Sequence, residues 1–403
     1  MRVIVQKYGG SSVKDPDRIK RVASRLVKAR DEGGAVIAVV SAMGDTTDEL
    51  IAKARQITSR PSRREMDMLL STGEQISIAL LAMAIGSMGY PVVSLTGQQV
   101  GIRTDNVHMK ARIQHVESAR LLKELNAGRI VIVAGFQGVD GHDDITTLGR
   151  GGSDTTAVAL AAAVQAEVCE IHTDVDGVYT ADPRLVTNAR RLADISYGEM
   201  LEMASLGAVV LQPRSVEYAA THGVRIHVRN SSNDKPGTIV QEERCMEKDM
   251  VVVGVAHDTN VAKVAMLNVP DRPGVAHRIF SCLAEAGINV DMIVQTSKER
   301  HVTDMVFSIN SDDATQAREL TEALARELGA GEVLVDDTVG KVSIVGAGMV
   351  SNPGVAARMF EALAEADINI QVISTSEIKV SCLIAAEHID RAVRALHAKF
   401  GLG

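Results

Sequence analysis

Up to about residue 240, short β-branched runs alternate with longer stretches rich in Ala, Leu, Met, Arg and Glu. The runs "RVIVQ", "AVIAVVSA", "PVVSLTG", "RIVIVAGF", "VCEIHTDVDG" and "RIHVRN" have the length and residue types of strands. Asp17 to Arg30, Arg64 to Gly86 and Thr155 to Ala166 have the composition of helices. Strands alternating with helices predict an α/β domain over residues 1–240, a parallel or mixed sheet sandwiched by helices. From 230 to 248 the chain turns polar, "NSSNDKPGTIVQEERCMEKD", and Pro236-Gly237 with the charge run predicts a domain boundary there.

The last third repeats itself. "VAKVAMLNVPDRPGVAHRIFSCLAEAGINV" begins at Val261 and "VGKVSIVGAGMVSNPGVAARMFEALAEADINI" at Val339. Pro273-Gly274-Val275-Ala276 matches Pro353-Gly354-Val355-Ala356, and Phe280, Leu283 and Asn289 match Phe360, Leu363 and Asn369. Each copy reads strand, Pro-Gly turn, helix, two strands, helix, the order of a ferredoxin-like unit. The first unit, 261–338, continues into a closing strand, "EVLVDDTV". The second, 339–403, runs out after its helix, while "MVVVGVA" (Met250 to Ala256) is left unassigned. Residues 241–260 are therefore expected to hold a linker and a strand donated to the second unit. One unit is then inserted in the sequence of the other.

Composition narrows the function. The chain has 403 residues and 46% apolar content, enough for two or three cores. Net charge is -8, aromatics are 2% and Trp is absent, which disfavours a nucleic-acid binder. Cys169, Cys245, Cys282 and Cys382 form no CxxC pair and have no accompanying His cluster, so they read as free thiols rather than metal ligands. No metal site is expected. The chain opens directly with a strand, without a visible signal peptide. Its most apolar stretches, such as Ala157 to Val164, look too short to span a bilayer. The expectation is a cytoplasmic protein with no membrane partner.

The chemistry gathers in glycine-rich loops after strands. "VQKYGGSSV" puts a lysine and two glycines at the end of the first strand; exposed N–H groups there can cradle phosphate, and the lysine adds a mobile positive charge. The spacing is not that of a P-loop. "SAMGDTTDEL" (Ser41 to Leu50) follows the second strand, and "TTLGRGGSDTTAVAL" (Thr146 to Leu160) precedes a helix. Loops at the carboxyl ends of an open α/β sheet are where ligands bind.

Together "KYGGSSV", "SAMGDTTDEL", "LSTGEQIS", "TTLGRGGSDTTA" and "TDVDGVYTADPR" resemble aspartokinase, of the amino-acid kinase fold, over essentially the whole chain. The repeated tail resembles the two ACT domains of these enzymes. The resemblance implies ATP-dependent phosphorylation of the side-chain carboxylate of L-aspartate, the first step toward lysine, threonine and methionine. Mg²⁺ is expected with ATP. It assigns Lys7 to the transferring phosphoryl group and Asp154 to orienting Lys7. Tyr8, Gly9 and Gly10 go to the nucleotide, as do Asp174, Tyr179, Asp182 and Arg184. Ser41, Thr47, Glu74, Arg150, Gly151, Gly152 and Ser153 go to aspartate. The fork of Arg150 suits its α-carboxylate and Glu74 its ammonium. The chain departs from the family at Val209, in "GAVVL", where relatives commonly carry lysine.

The ACT pair implies feedback by lysine, threonine or both, and a homo-oligomer joined through these domains. Asp271, Asp291 and Gln295 are the candidate effector residues of the first unit; Asn369, Ile370, Ser376 and Glu377 are those of the second. Met246 or Met250 as the start of a separate regulatory chain stays open. Three rivals remain. Another amino-acid kinase, acting on glutamate, acetylglutamate or a nucleotide, differs by as little as one methylene in its substrate, worth about 1–3 kcal/mol. A nicotinamide-dependent oxidoreductase rests on "IVGAGMVS", with Ser351 where a small third residue is needed. A non-catalytic amino-acid sensor would need no Lys7, Glu74 or Arg150.

Overall fold

The computed structural model describes residues 1–207, 210–242, 250–297 and 301–403. Val209, Cys245 and Met246 lie outside the described residues. The chain forms two compact units. The first comprises Met1–Val178, Arg191–Ser205 and the described residues from 210 to 242; the second comprises Tyr179–Arg190 and most of the chain from Met250 onward.

The first unit is built on an eight-stranded sheet. Its order is Asp194–Ser196, Thr238–Gln241, Ile226–Asn230, Val168–Thr173, Val3–Tyr8, Ala35–Val40, Ile130–Ala134, Val92–Leu95. From Ile226–Asn230 to Val92–Leu95 every neighbour pair is parallel; Thr238–Gln241 runs antiparallel to Ile226–Asn230. The central strands read as continuous apolar runs because helices cover a parallel sheet on both faces. Val36, Ala38 and Val40 pack with Ile19, Val22 and Leu26 of the helix Pro16–Asp31, and with Ile78, Leu81 and Ile85 of Thr72–Ser87. Asp15 caps the first of these, accepting the Arg18 N–H at 2.8 Å.

Several expectations change. A second sheet of four short strands, ordered Ile113–Val116, Ile102–Thr104, Gln137–Val139, Ile145–Thr147, was not legible in the sequence. Three or four residues per strand leave too little alternation to recognise. Within the polar stretch from 230 to 248, Thr238–Gln241 pairs inside the large sheet of the first unit. Contrary to the expectation about apolar stretches, Arg63–Ser87 is a 25-residue helical run long and apolar enough to cross a membrane. Its buried face carries Asp67 and Glu74 beside Leu70, Leu81 and Ile85, as in a core helix.

The second unit contains two four-stranded sheets. Val290–Ser297, Val302–Ile309, Ala262–Pro270 and Val333–Asp336 form the first, covered by helices Val275–Glu285 and Ala314–Leu328. The other is ordered Gly254–Asp258, Val339–Val345, Lys379–Ala385, Val372–Thr375. The strand expected from 250 to 256 is thus donated to the C-terminal sheet, antiparallel to Val339–Val345, but it begins later, at Gly254. Val252 and Val255 join the core of that unit with Ile344, Met359 and Leu396. Ala181 and Val186, from the excursion Tyr179–Arg190, are buried in the same core.

The repeats are held together by matched contacts. Lys341 donates to Asp291 at 2.5 Å, and Lys263 donates to Gln371. Lys263 and Lys341 occupy equivalent repeat positions, as do Asp291 and Gln371, so the two contacts are reciprocal. Val261, Met292, Val339 and Leu383 form a small apolar cluster between the repeats.

Candidate active site

The loops after Val3–Tyr8, Ala35–Val40 and Ile130–Ala134 meet at the carboxyl ends of parallel strands. Lys7 Nζ lies 2.6 Å from Asp154 Oδ1, with both side chains largely shielded. Asp154 stands in the first turn of the helix Gly152–Ala163, whose amino end adds positive potential for an anion. Gly10 is required by close approach: a Cβ there would lie 2.7 Å from the Ala42 carbonyl oxygen. The Gly44 N–H donates to Gly10 O at 3.1 Å, and the Ser41 N–H to Tyr8 O at 3.1 Å, locking the two loops together.

Glu74 is 3% exposed, on the helix Thr72–Ser87. Its Oε1 accepts the Ala42 N–H at 3.0 Å, and its buried Oε2 has no hydrogen-bond partner among the described residues. Burial pushes its carboxyl up to about 7, against the opposing effect of the backbone bond. An orphaned buried carboxylate oxygen is costly unless a cation arrives. Ser41 Oγ donates to Ser153 Oγ at 2.9 Å, which ties the second loop to the same helix start. Gly151 holds φ +69, and a Cβ there would run into Gln212. Arg150, one residue earlier, is exposed. Thr47 lies in the first turn of the helix Thr46–Ile57 and is partly buried.

The structure therefore brings together Lys7, Gly9, Gly10, Ser41, Glu74, Ser153 and Asp154. Tyr8 turns its side chain away from this cluster. Its side chain is fully buried, its hydroxyl donates to Gln6 Oε1 at 3.1 Å, and its ring stacks on His172 at 4.5 Å. Alternation along the strand sends Lys7 to one face and Tyr8 to the other. The segment "TDVDGVYTADPR" divides. Asp174 remains in the first unit, where its carbonyl accepts from Asn230 Nδ2 at 3.1 Å. Tyr179, Asp182 and Arg184 belong to the second unit. There the Arg184 guanidinium donates to both oxygens of Asp182, which holds that carboxyl below its usual range.

Sequence reading missed Asp176. It accepts from Asn230 and Asn233 at 2.7 and 2.8 Å and from Lys235 at 2.6 Å, tying the loop after Val168–Thr173 to "NSSNDKPG". Only the density of Asn and Asp in that stretch hinted at a structured loop rather than a linker.

In the second unit a cavity of about 320 Å³ is lined by Asp271, Arg272, Gly274, Gln295, Thr303 and Met305, among others. Asp271 and Gln295 thus meet at the amino end of the helix Val275–Glu285. Asp291 is not among the residues lining this cavity and engages the buried Lys341. In the second repeat Asn369, Ser376 and Glu377 are exposed and Ile370 is partly buried against the core. Met250 packs against that core as well.

The amino acid kinase family model matches residues 2–230, and ACT domain models match residues 264–329 and 342–400. An aspartokinase of Mycolicibacterium smegmatis is 56% identical over 409 residues, covering 100% of this chain and 97% of that one. One of Pseudomonas aeruginosa is 52% identical over 405 residues, covering 100% and 98%. The crystal structure of E. coli aspartokinase III in complex with aspartate and ADP superposes with a TM-score of 0.83 at 27% identity, covering 99% of each chain. Full-length identity above half, the kinase domain and the paired ACT domains together establish that the chain belongs to the aspartokinase family.

Proposed function

We propose that the chain transfers the γ-phosphoryl group of ATP to the side-chain carboxylate of L-aspartate, giving ADP and 4-phospho-L-aspartate. The observation that carries this reading is the shielded Lys7–Asp154 pair beside the orphaned oxygen of Glu74. The nucleophile is a carboxylate that ordinarily titrates at about 3.9 and is ionised at neutral pH, so no general base is required. The site's task is to hold two anions in line and neutralise their repulsion. Lys7, kept in place by Asp154, balances charge on the transferring group. Gly9 and Gly10 let backbone N–H groups approach phosphate. Glu74 Oε2 accepts from the substrate ammonium, and Arg150 forks onto the α-carboxylate. Mg²⁺ comes with ATP, held chiefly by phosphates and water. Asp174 belongs to the nucleotide loop.

The product enters lysine, threonine and methionine synthesis, and lysine, threonine or both act back on the ACT domains. The E. coli enzyme has also been solved with lysine and aspartate. Asp271 and Gln295 at a helix amino end suit the ammonium and carboxylate of an amino acid. Ile293 and Ile373 are exposed on Val290–Ser297 and Val372–Thr375, and this apolar surface supports a homo-oligomer formed through these domains. ADP release with ATP and L-aspartate, compared with L-glutamate, tests the reaction. Equal or greater turnover of glutamate overturns it. An effector panel of lysine and threonine in the same assay tests the regulation.

A further inference from the structure

We propose that His108, Asp140 and Asp144 form a binding site for a divalent first-row transition ion, Zn²⁺ rather than Mg²⁺, apart from the phosphoryl-transfer residues. One donor atom from each of the three lies within 4.8 Å of the others. An ion with ligand bonds of about 2.0–2.2 Å holds tetrahedral donors roughly 3.3–3.6 Å apart, so side-chain shifts that shorten the separations by up to about 1.5 Å close the site. Asp140 and Asp144 flank the turn joining Gln137–Val139 to Ile145–Thr147, and His108 comes from the loop between Ile102–Thr104 and Ile113–Val116. The three therefore converge at one end of the small four-stranded sheet.

Each ligand is oriented by a partner that leaves a donor atom available. Asp140 Oδ1 accepts the His142 and Asp144 N–H groups at 2.8 and 3.0 Å, leaving Oδ2. Asp144 Oδ1 takes both Arg64 bonds, at 3.1 and 2.6 Å, leaving Oδ2. His108 Nδ1 is 2.7 Å from Oδ2 of Asp67, whose side chain is fully buried. Asp67 also accepts from the Met109 N–H and the Thr147 hydroxyl. It is therefore an acceptor toward the imidazole, Nδ1 carries the proton, and the Nε2 lone pair is free for an ion. A carboxylate behind a histidine is the usual support for metal-binding imidazole.

Charge points the same way. Asp67, Asp140, Asp143, Asp144 and Glu65 bring five carboxylates, while Arg64, shared by Asp144 and Glu65, and Arg103 on Asp143 bring two positive charges. The excess of negative charge favours a cation. Imidazole among the ligands selects a transition ion, because Mg²⁺ and Ca²⁺ take oxygen donors. The bound ion joins His108 to the hairpin that continues through Thr147 into the Leu148–Gly152 loop.

The test uses the full chain, dialysed against chelator and titrated with Zn²⁺ by calorimetry. One equivalent is expected, with binding weakened at least ~10-fold in His108→Ala and in Asp144→Asn. Turnover with MgATP in the absence of Zn²⁺ is expected to stay near that of the parent in both variants. Co²⁺ provides a second reading that needs no variant: visible bands without sulfur-to-metal charge transfer support the His and Asp ligand set. No Zn²⁺ uptake by the parent, undiminished uptake by both variants, or a thiolate charge-transfer band with Co²⁺ would each overturn the proposal.

Discussion

Replacing Glu74 with glutamine removes a charge that the fold holds at a cost and that the substrate is proposed to compensate. Burial raises its carboxyl from 4.5 to about 7. At about 1.4 kcal/mol for each pH unit, the ionised carboxylate then costs the folded state on the order of 3 kcal/mol at alkaline pH. A raised folded-state value means the contribution is favourable below the unfolded value. It is lost as pH rises through the folded one. The parent should therefore lose stability relative to Glu74→Gln between pH 5 and pH 8, by roughly 2–3 kcal/mol. The glutamine keeps an acceptor for the Ala42 N–H, but its amide donor lacks a partner. That adds a pH-independent penalty of about 1–3 kcal/mol, which leaves the difference between the two pH values unchanged. Urea unfolding of both proteins at the two pH values reads this directly. The second reading is kinetic: the parent's aspartate KM should rise as pH falls below about 7, where Glu74 takes up a proton, while the variant's KM is high and flat there. Parallel stability profiles, or a variant KM for aspartate equal to the parent's, would refute the reasoning.

Lys7→Met should lower kcat by a factor of about 10² or more, since it removes a positioned charge at the transferring group; circular dichroism checks that the fold survives. Arg150→Ala should raise the aspartate KM far more than the ATP KM, and the reverse split in steady-state kinetics would reassign the residue. Gly10→Ala sets a Cβ 2.7 Å from the Ala42 carbonyl oxygen, so kcat should fall at least ~10-fold as the two loops are pushed apart, with a lower melting temperature. Asp271→Ala should weaken inhibition by lysine or threonine. Asp291→Ala should instead lower stability by about 1–3 kcal/mol by leaving Lys341 short of its partner, with inhibition retained; dose–response curves and denaturant melts on both variants separate the two roles.

The sequence by itself determined what depends on local pattern. Alternating strand and helix runs specified the α/β domain, because period and length follow from residues adjacent in the chain. The repeat specified two similar small units, and Met250 to Ala256, a Val-rich run outside both copies, was legible as a further strand. The lysine, glycines and hydroxyls of the ligand loops were legible for the same reason. Each sits directly after a strand, and strand ends in such sheets converge.

Tertiary structure decided what depends on residues far apart in the chain. Strand alternation turns Tyr8 inward, but His172 makes it a stacked core residue. Glu74 and Asp291 are both carboxylates beside apolar runs. Among the described residues one keeps an oxygen without a hydrogen-bond partner while Ala42 meets the other, and the second carboxylate is met by a lysine fifty positions away. The loop after Val168–Thr173 gains order from Asn230, Asn233 and Lys235, which sequence reading saw only as part of a polar stretch at a domain boundary. Desolvation and partner choice are properties of the packed whole, since a charge's cost is set by every element around it.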